Sequence, residues 1–144
     1  MSNSLTRQIT RLLPKALAKK LPRNIAVVLI SAKTSRTLNR AYRGKNKATN
    51  VLSFYYGRRY GEILVSKDVV RAEAQKAGNS YKYQFAWMVL HGMLHLAGWH
   101  HEDSGAIAGR AARLEKRLLK RISSSIKNFK SQITNSKQYL NSNS

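Results

Sequence analysis

Apolar positions fall into blocks whose period alternates along the chain between helical and strand-like. Leu5, Ile9, Leu12, Leu13 and Leu17 recur at helical spacing, which predicts an amphipathic helix over 4–21, kinked or restarted at Pro14 and stopped by Pro22. Ile25 to Ile30 is apolar without a break and rich in β-branched residues. That run predicts a strand covered on both faces, hence a central one. The pattern turns helical from Thr34 to Tyr42, and Gly44 stands where a left-handed C-terminal residue is wanted, so Arg43 falls at a helix end. Val51 to Tyr56 and Gly61 to Ser66 read as strands, and the short link Gly57-Arg58-Arg59-Tyr60 predicts a hairpin. Further helices are expected from Asp68 to Ala77, closed by Gly78, and from Tyr81 to about Ala97, capped by Ser80 and ended by Gly98. Ile107, Ala111, Leu114, Leu118 and Ile122 draw one apolar stripe on a last helix whose other face is basic. After Ile122 apolar residues are scattered among Ser, Lys, Asn and Gln, so residues 1–122 are expected to form a single domain and 123–144 a flexible basic tail.

Charge adds a partner to this outline. Lys and Arg number 27 against 6 Asp and Glu, a net charge of +21 over 144 residues. An excess of that size repels itself unless a polyanion answers it, and RNA or DNA is the first expectation. Hydrophobic residues at 42% are ordinary globular usage, which argues against wholesale disorder. Cysteine is absent, which removes disulfides, thiolate metal sites and cysteine nucleophiles together, so any metal site must use His or carboxylate. No apolar run approaches the ~20 residues of a membrane helix, and no secretory leader is visible, so a cytoplasmic protein without membrane partners is expected. The acid-free, Arg- and Leu-rich opening stretch also has the composition of an organelle transit peptide, the weaker alternative.

All four histidines lie between His91 and His101. Residues four apart share a helix face, so His91 and His95 can present two imidazoles to one ion. Gly98 permits a left-handed reversal after the second, which lets His101 supply a third nitrogen. This is the His-x-x-x-His-x-x-Gly-x-x-His spacing of metzincin metalloproteases, and three histidines with one open position describe a catalytic zinc site. The base that those peptidases carry directly after the first histidine is missing, because the residue here is Gly92. His100 has three open roles: a competing ligand, a neighbour of the metal site, or a substrate contact.

Three segments in register carry a resemblance: Leu38-Asn39-Arg40-Ala41-Tyr42-Arg43-Gly44-Lys45 followed by Thr49-Asn50-Val51-Leu52-Ser53-Phe54, then Gly61-Glu62-Ile63-Leu64-Val65, then His91 to His101. Over about residues 25–120 the chain resembles the YbeY family of single-strand-specific endoribonucleases, the bacterial rRNA maturation factors. The resemblance implies an α+β domain with a small central β-sheet surrounded by helices and a metzincin-like histidine helix bounding a zinc cleft. It further implies one Zn2+ per chain on His91, His95 and His101, with Arg43 as the basic catalytic residue. Its implied function is late maturation of the 16S rRNA 3′ end and ribosome quality control, with single-stranded RNA and ribosomal particles or proteins as partners. The chain departs from the family pattern at His100, commonly Asp, at Asn46 and Ala48, usually Asp and Pro, and in the short link from Phe54 to Gly61. A histidine cannot replace the charge of that Asp, so Glu102 and Asp103 are the candidates for orienting a ligand or a water in its place, with His100 a further candidate neighbour of the site.

Zinc polarises a phosphoryl oxygen and makes a bound water more acidic, and the planar fork of Arg43 suits two phosphate oxygens. Water and the RNA's own 2′-hydroxyl both stay open as the attacking group. The alternative function is a non-catalytic RNA-binding ribosome-assembly factor with a structural metal. A peptidase comes a distant third because of Gly92.

Overall fold

Pro14 divides the first helix in two. The computed structural model describes residues 3–99 and 105–124, and in it α1 (Asn3–Leu12) is followed by a single turn, α2 (Lys15–Ala18), with Pro14 at its N-cap. The ring removes the N–H that a continuous helix would need and restarts the chain at its own favoured φ of −53°. The remaining elements are β1 (Asn24–Ile30), α3 (Ala32–Arg43), β2 (Val51–Tyr55), β3 (Tyr60–Ser66), α4 (Lys67–Ala77), α5 (Tyr81–Leu96) and α6 (Gly105–Ser123). The architecture is α+β, with one small mixed sheet.

The sheet order is β1-β3-β2, with β3 parallel to β1 and antiparallel to β2. Thus β1 is an edge strand rather than the central one that its unbroken apolar run predicts. Its burial alternates: Ile25, Val27 and Leu29 are buried against the helices, while Ala26 and Val28 on the other face are half-covered. An apolar run registers cover on both faces without revealing how many strands lie beside it. The expected hairpin is present, paired from Val51↔Val65 to Tyr55↔Gly61. The Tyr56 N–H donates to the Tyr60 carbonyl at 3.0 Å, and Gly57 supplies the left-handed φ of +115° at the turn.

Helix α5 is the core's axis. Ten of its sixteen residues are buried, so it carries apolar side chains nearly all round, as a helix enclosed by other elements must. Leu5 and Ile9 of α1, Ile63 and Val65 of β3, and Leu114, Leu118 and Ile122 of α6 close around Phe85, Val89, Leu90, Met93 and Leu94. The predicted stripe on α6 is therefore buried from Ala111 onward, while Arg113, Lys116, Arg117, Lys120 and Arg121 face outward. Helix α6 runs one residue past the expected domain boundary, to Ser123, and the tail from residue 125 lies outside the described residues. Among the described residues no helix is long and apolar enough to cross a membrane.

Candidate active site

The histidine helix begins where Ser80 predicts it: the Ser80 Oγ accepts from the Tyr83 N–H at 3.1 Å. Ten residues further on, one face of α5 presents His91 and His95, with ring centroids 4.5 Å apart and planes at 47°. Gly98, at φ +93°, closes the helix: its N–H reaches the His95 carbonyl, and the Trp99 N–H returns to the Leu94 carbonyl at 2.9 Å. The left-handed reversal expected after the second histidine is thus in place. The predicted third ligand, His101, and the neighbours His100, Glu102 and Asp103 lie outside the described residues. Among the described residues no three His, Cys, Asp or Glu side chains gather closely enough to hold an ion.

Glu115 of α6 is the residue beside the histidine pair that the sequence reading missed. Its Oε1 stands 2.7 Å from His91 Nδ1, and its Oε2 accepts from Trp87 Nε1 at 2.9 Å. An ionised carboxylate only accepts, so the hydrogen lies on Nδ1, and the neutral tautomer compatible with this contact is the one with its lone pair on Nε2. A carboxylate behind a histidine is the arrangement that fixes ring orientation and raises basicity at metal sites. Imidazole nitrogens of His91 and His95, one helical turn apart, are donors that suit a borderline-soft divalent cation. The available clue was that Glu115 is the one acid on α6 and sits beside Leu114 on the apolar stripe, where an unpaired carboxylate would be costly.

A cleft of about 950 Å³ brings Arg43 to the same place. His91, His95 and Gly98 line it together with Arg43, Tyr42, Lys20 and all five residues of edge strand β2. Arg43 is the last residue of α3 because Gly44, at φ +70°, stops the helix there. The loop from Gly44 to Asn50 is tied back to α3 by buried polar residues. Ser35 Oγ donates to the Thr49 carbonyl at 2.7 Å and accepts from the Thr49 N–H at 2.8 Å, while Asn39 Nδ2 donates to the Lys47 carbonyl at 2.9 Å. Ser35→Ala strands both Thr49 backbone groups and is expected to destabilise the protein by about 1–3 kcal/mol. A denaturant midpoint equal to that of the wild type would show that the Ser35 pair contributes nothing.

Gly92 explains the missing peptidase base. Its position on α5 faces the sheet, so a Cβ there would lie 2.7 Å from Ile63 Cγ2 and 3.0 Å from Ser53 Oγ. Ser53 Oγ already donates to the Gly92 carbonyl at 3.1 Å. The helix approaches β2 and β3 so closely that no side chain fits, which keeps the histidine face turned toward the cleft.

The family model of endoribonuclease YbeY matches residues 1–123 of the chain. A protein from Verminephrobacter eiseniae, described as endoribonuclease YbeY, is 39% identical over 92 residues, covering 62% of this chain and 60% of that relative. A Stenotrophomonas maltophilia protein with the same description is 36% identical over 107 residues, 67% of this chain and 66% of its own length. The match thus spans less than two thirds of either relative's length. Among solved structures, the solution structure of a Thermotoga maritima protein superposes with a TM-score of 0.58 at 25% identity, covering 90% of this chain and 89% of the other. With the family model spanning the residues that line the cleft, from Arg43 and β2 through the histidine helix, and Glu115 behind them, the chain belongs to the YbeY family.

Proposed function

We propose that this protein is a zinc-dependent endoribonuclease that cuts single-stranded RNA, with His91, His95 and His101 as the ligands and Arg43 on the scissile phosphate. The observation that carries the reading is the shared cleft: His91, His95 and Arg43 all line it, and Glu115 fixes the His91 ring. The names of the relatives support the same class. Family resemblance extends the proposal to 16S rRNA 3′-end maturation and to ribosomal particles as partners.

When bound, zinc supplies a Lewis acid for a phosphoryl oxygen and a more acidic water. The chain's own residues do the rest. Glu115 keeps hydrogen on Nδ1 of His91, so that Nε2 is the nitrogen offered to the ion. Arg43 receives two phosphate oxygens in its planar fork and stabilises the charge that grows on them as the P–O bond breaks. Buried Ser35 and Asn39 hold the loop after Arg43 against α3, which fixes the backbone from which the guanidinium reaches the phosphate.

Metal analysis combined with cleavage of an unstructured RNA oligonucleotide tests the reading. One zinc per chain is expected in the wild type, and its loss in the His91→Ala, His95→Ala double variant. Arg43→Ala is expected to keep zinc and to lose cleavage by about 100-fold or more, the scale for removing one donor that acts on transition-state charge. Protein that holds zinc and binds RNA but never cuts it would favour the assembly-factor reading instead.

A further inference from the structure

Four aromatic rings run in file out of the cleft. Tyr42, beside Arg43 in the cleft lining, meets Phe54 edge-on with centroids 5.2 Å apart. Phe54 and Tyr56 stack at 6.4 Å with planes 29° apart, and Tyr56 and Tyr60 at 5.7 Å with planes 25° apart. The sequence builds this row simply: Phe54 and Tyr56 are two apart and share one face of the strand line, and the hairpin turn sets Tyr60 opposite Tyr56. Tyr42, Tyr56 and Tyr60 are 69%, 62% and 38% exposed, so the row is not core. A contiguous exposed aromatic surface on a soluble domain marks an interaction site.

Cations stand at both ends. Arg43 is at the cleft end; at the hairpin tip Arg58 and Arg59 share a hollow of about 380 Å³ with Lys19 and Arg23. The tip is held in place, because the Arg58 carbonyl accepts from the Arg23 N–H at 2.9 Å and the Arg59 carbonyl from the Asn24 N–H at 3.1 Å. Tyr60 is steadied in turn by its hydroxyl, which donates to Glu62 Oε2 at 2.8 Å. Every nucleobase has a π-face, so rings beside cations that track a phosphate backbone suit unpaired bases of any sequence. Bases in a duplex already stack on each other and have no face to offer. An apolar protein partner would not call for guanidinium groups at each end of the row on a chain of net charge +21.

We propose that Tyr42, Phe54, Tyr56 and Tyr60 form a stacking platform for the unpaired bases of RNA leaving the cleft, with Arg58 and Arg59 taking the phosphate beyond them. The proposal rests on the RNA reading above and deepens it, since such a platform makes the site selective for single strands. The test measures binding of the full chain to an unstructured 12-nucleotide RNA and to the same strand in a duplex, over a range of salt. The variants are Tyr56→Ala with Tyr60→Ala, Tyr56→Leu with Tyr60→Leu, and Arg58→Ala with Arg59→Ala.

Both aromatic pairs are expected to weaken single-strand binding by about tenfold or more, with the salt slope unchanged and duplex binding little altered. The arginine pair is expected to flatten the log–log salt slope by about 0.7 per lost contact. Tyr56→Phe, which keeps the ring, is expected to bind like the wild type, and a thermal melt checks that each variant is folded. Full affinity in the alanine pair, or full rescue by leucine, overturns the platform, the latter because apolar area alone would then suffice. If the wild type cuts RNA while the aromatic pairs lose nothing, the platform falls and the nuclease reading stands. If the wild type binds RNA without cutting it and the aromatic pairs still lose affinity, the nuclease reading falls and the platform stands.

Discussion

Glu115→Gln is expected to weaken zinc binding at the proposed site while leaving the fold almost intact, and Glu115→Ala to damage both. In the native protein one carboxylate oxygen faces His91 Nδ1 and the other accepts from Trp87 Nε1. The indole only donates, so an amide at this position must turn its oxygen to Trp87 and its NH2 to His91. Nδ1 then becomes the acceptor, the hydrogen moves to Nε2, and the nitrogen offered to the ion is blocked. Zinc affinity is expected to fall about 10–100-fold, the range for losing a partner behind a metal-binding histidine. Stability is expected to stay close to the wild type, because both hydrogen bonds survive, the one to Trp87 unchanged and only the one to His91 reversed in polarity. Alanine, in contrast, leaves the Trp87 N–H and the His91 ring without their acceptor and costs about 1–3 kcal/mol in addition. Competition against a chromophoric chelator reads the first effect and a denaturant midpoint the second. Wild-type zinc affinity in Glu115→Gln would sever Glu115 from the metal site.

That pair also marks where the sequence stops being informative. His91 and His95 were legible because helix geometry fixes what lies four residues away, and Gly98 because a left-handed residue has few alternatives to glycine. Arg43's place at a helix end was legible for the same reason, one residue before Gly44 at φ +70°, whereas its proposed role came only with the family resemblance. Glu115 is 24 residues from His91, and the contact depends on how α6 lies across α5, which no local period encodes. The placement of β1 failed similarly. Ile25 to Ile30 demands cover for both faces, and a half-covered face of Ala26 and Val28 meets that demand at a sheet edge as well as in its middle. The first helix shows the limit of periodicity against covalent geometry: Leu13 and Leu17 keep the spacing and reach the core, yet Pro14 interrupts the backbone between them. The aromatic row was hidden in plain composition. Tyr42 and Tyr60 become neighbours of Phe54 and Tyr56 only after α3 has ended against β2 and the hairpin has closed.

Gly92→Glu, the change that would complete a His-Glu-x-x-His sequence, is expected to abolish folding rather than create a peptidase. The new Cβ would meet Ile63 Cγ2 at 2.7 Å and Ser53 Oγ at 3.0 Å, and Ile63 cannot swing aside easily. It is β-branched, fully buried and placed on the central strand. The carboxylate beyond that Cβ would enter the core without a cationic partner, at a cost of several kcal/mol on top of the overpacking. That sum is a large share of the roughly 5–15 kcal/mol that holds a domain of this kind together. Gly92→Ala separates the two contributions. It recovers about 1 kcal/mol of helix propensity but adds an overpacking cost of about 1–3 kcal/mol, so its melting temperature should fall modestly. Its zinc affinity should fall as well, because moving α5 off β3 displaces the neighbouring His91. Ile63→Ala removes the obstructing methyl, and in a double-mutant cycle the pair should cost less than the sum of the single changes. Additive losses would show that Gly92 does not sit tightly against Ile63. A folded Gly92→Glu protein that hydrolyses peptides would show that the helix can turn this position toward the cleft, and would remove the steric reason for the absent base.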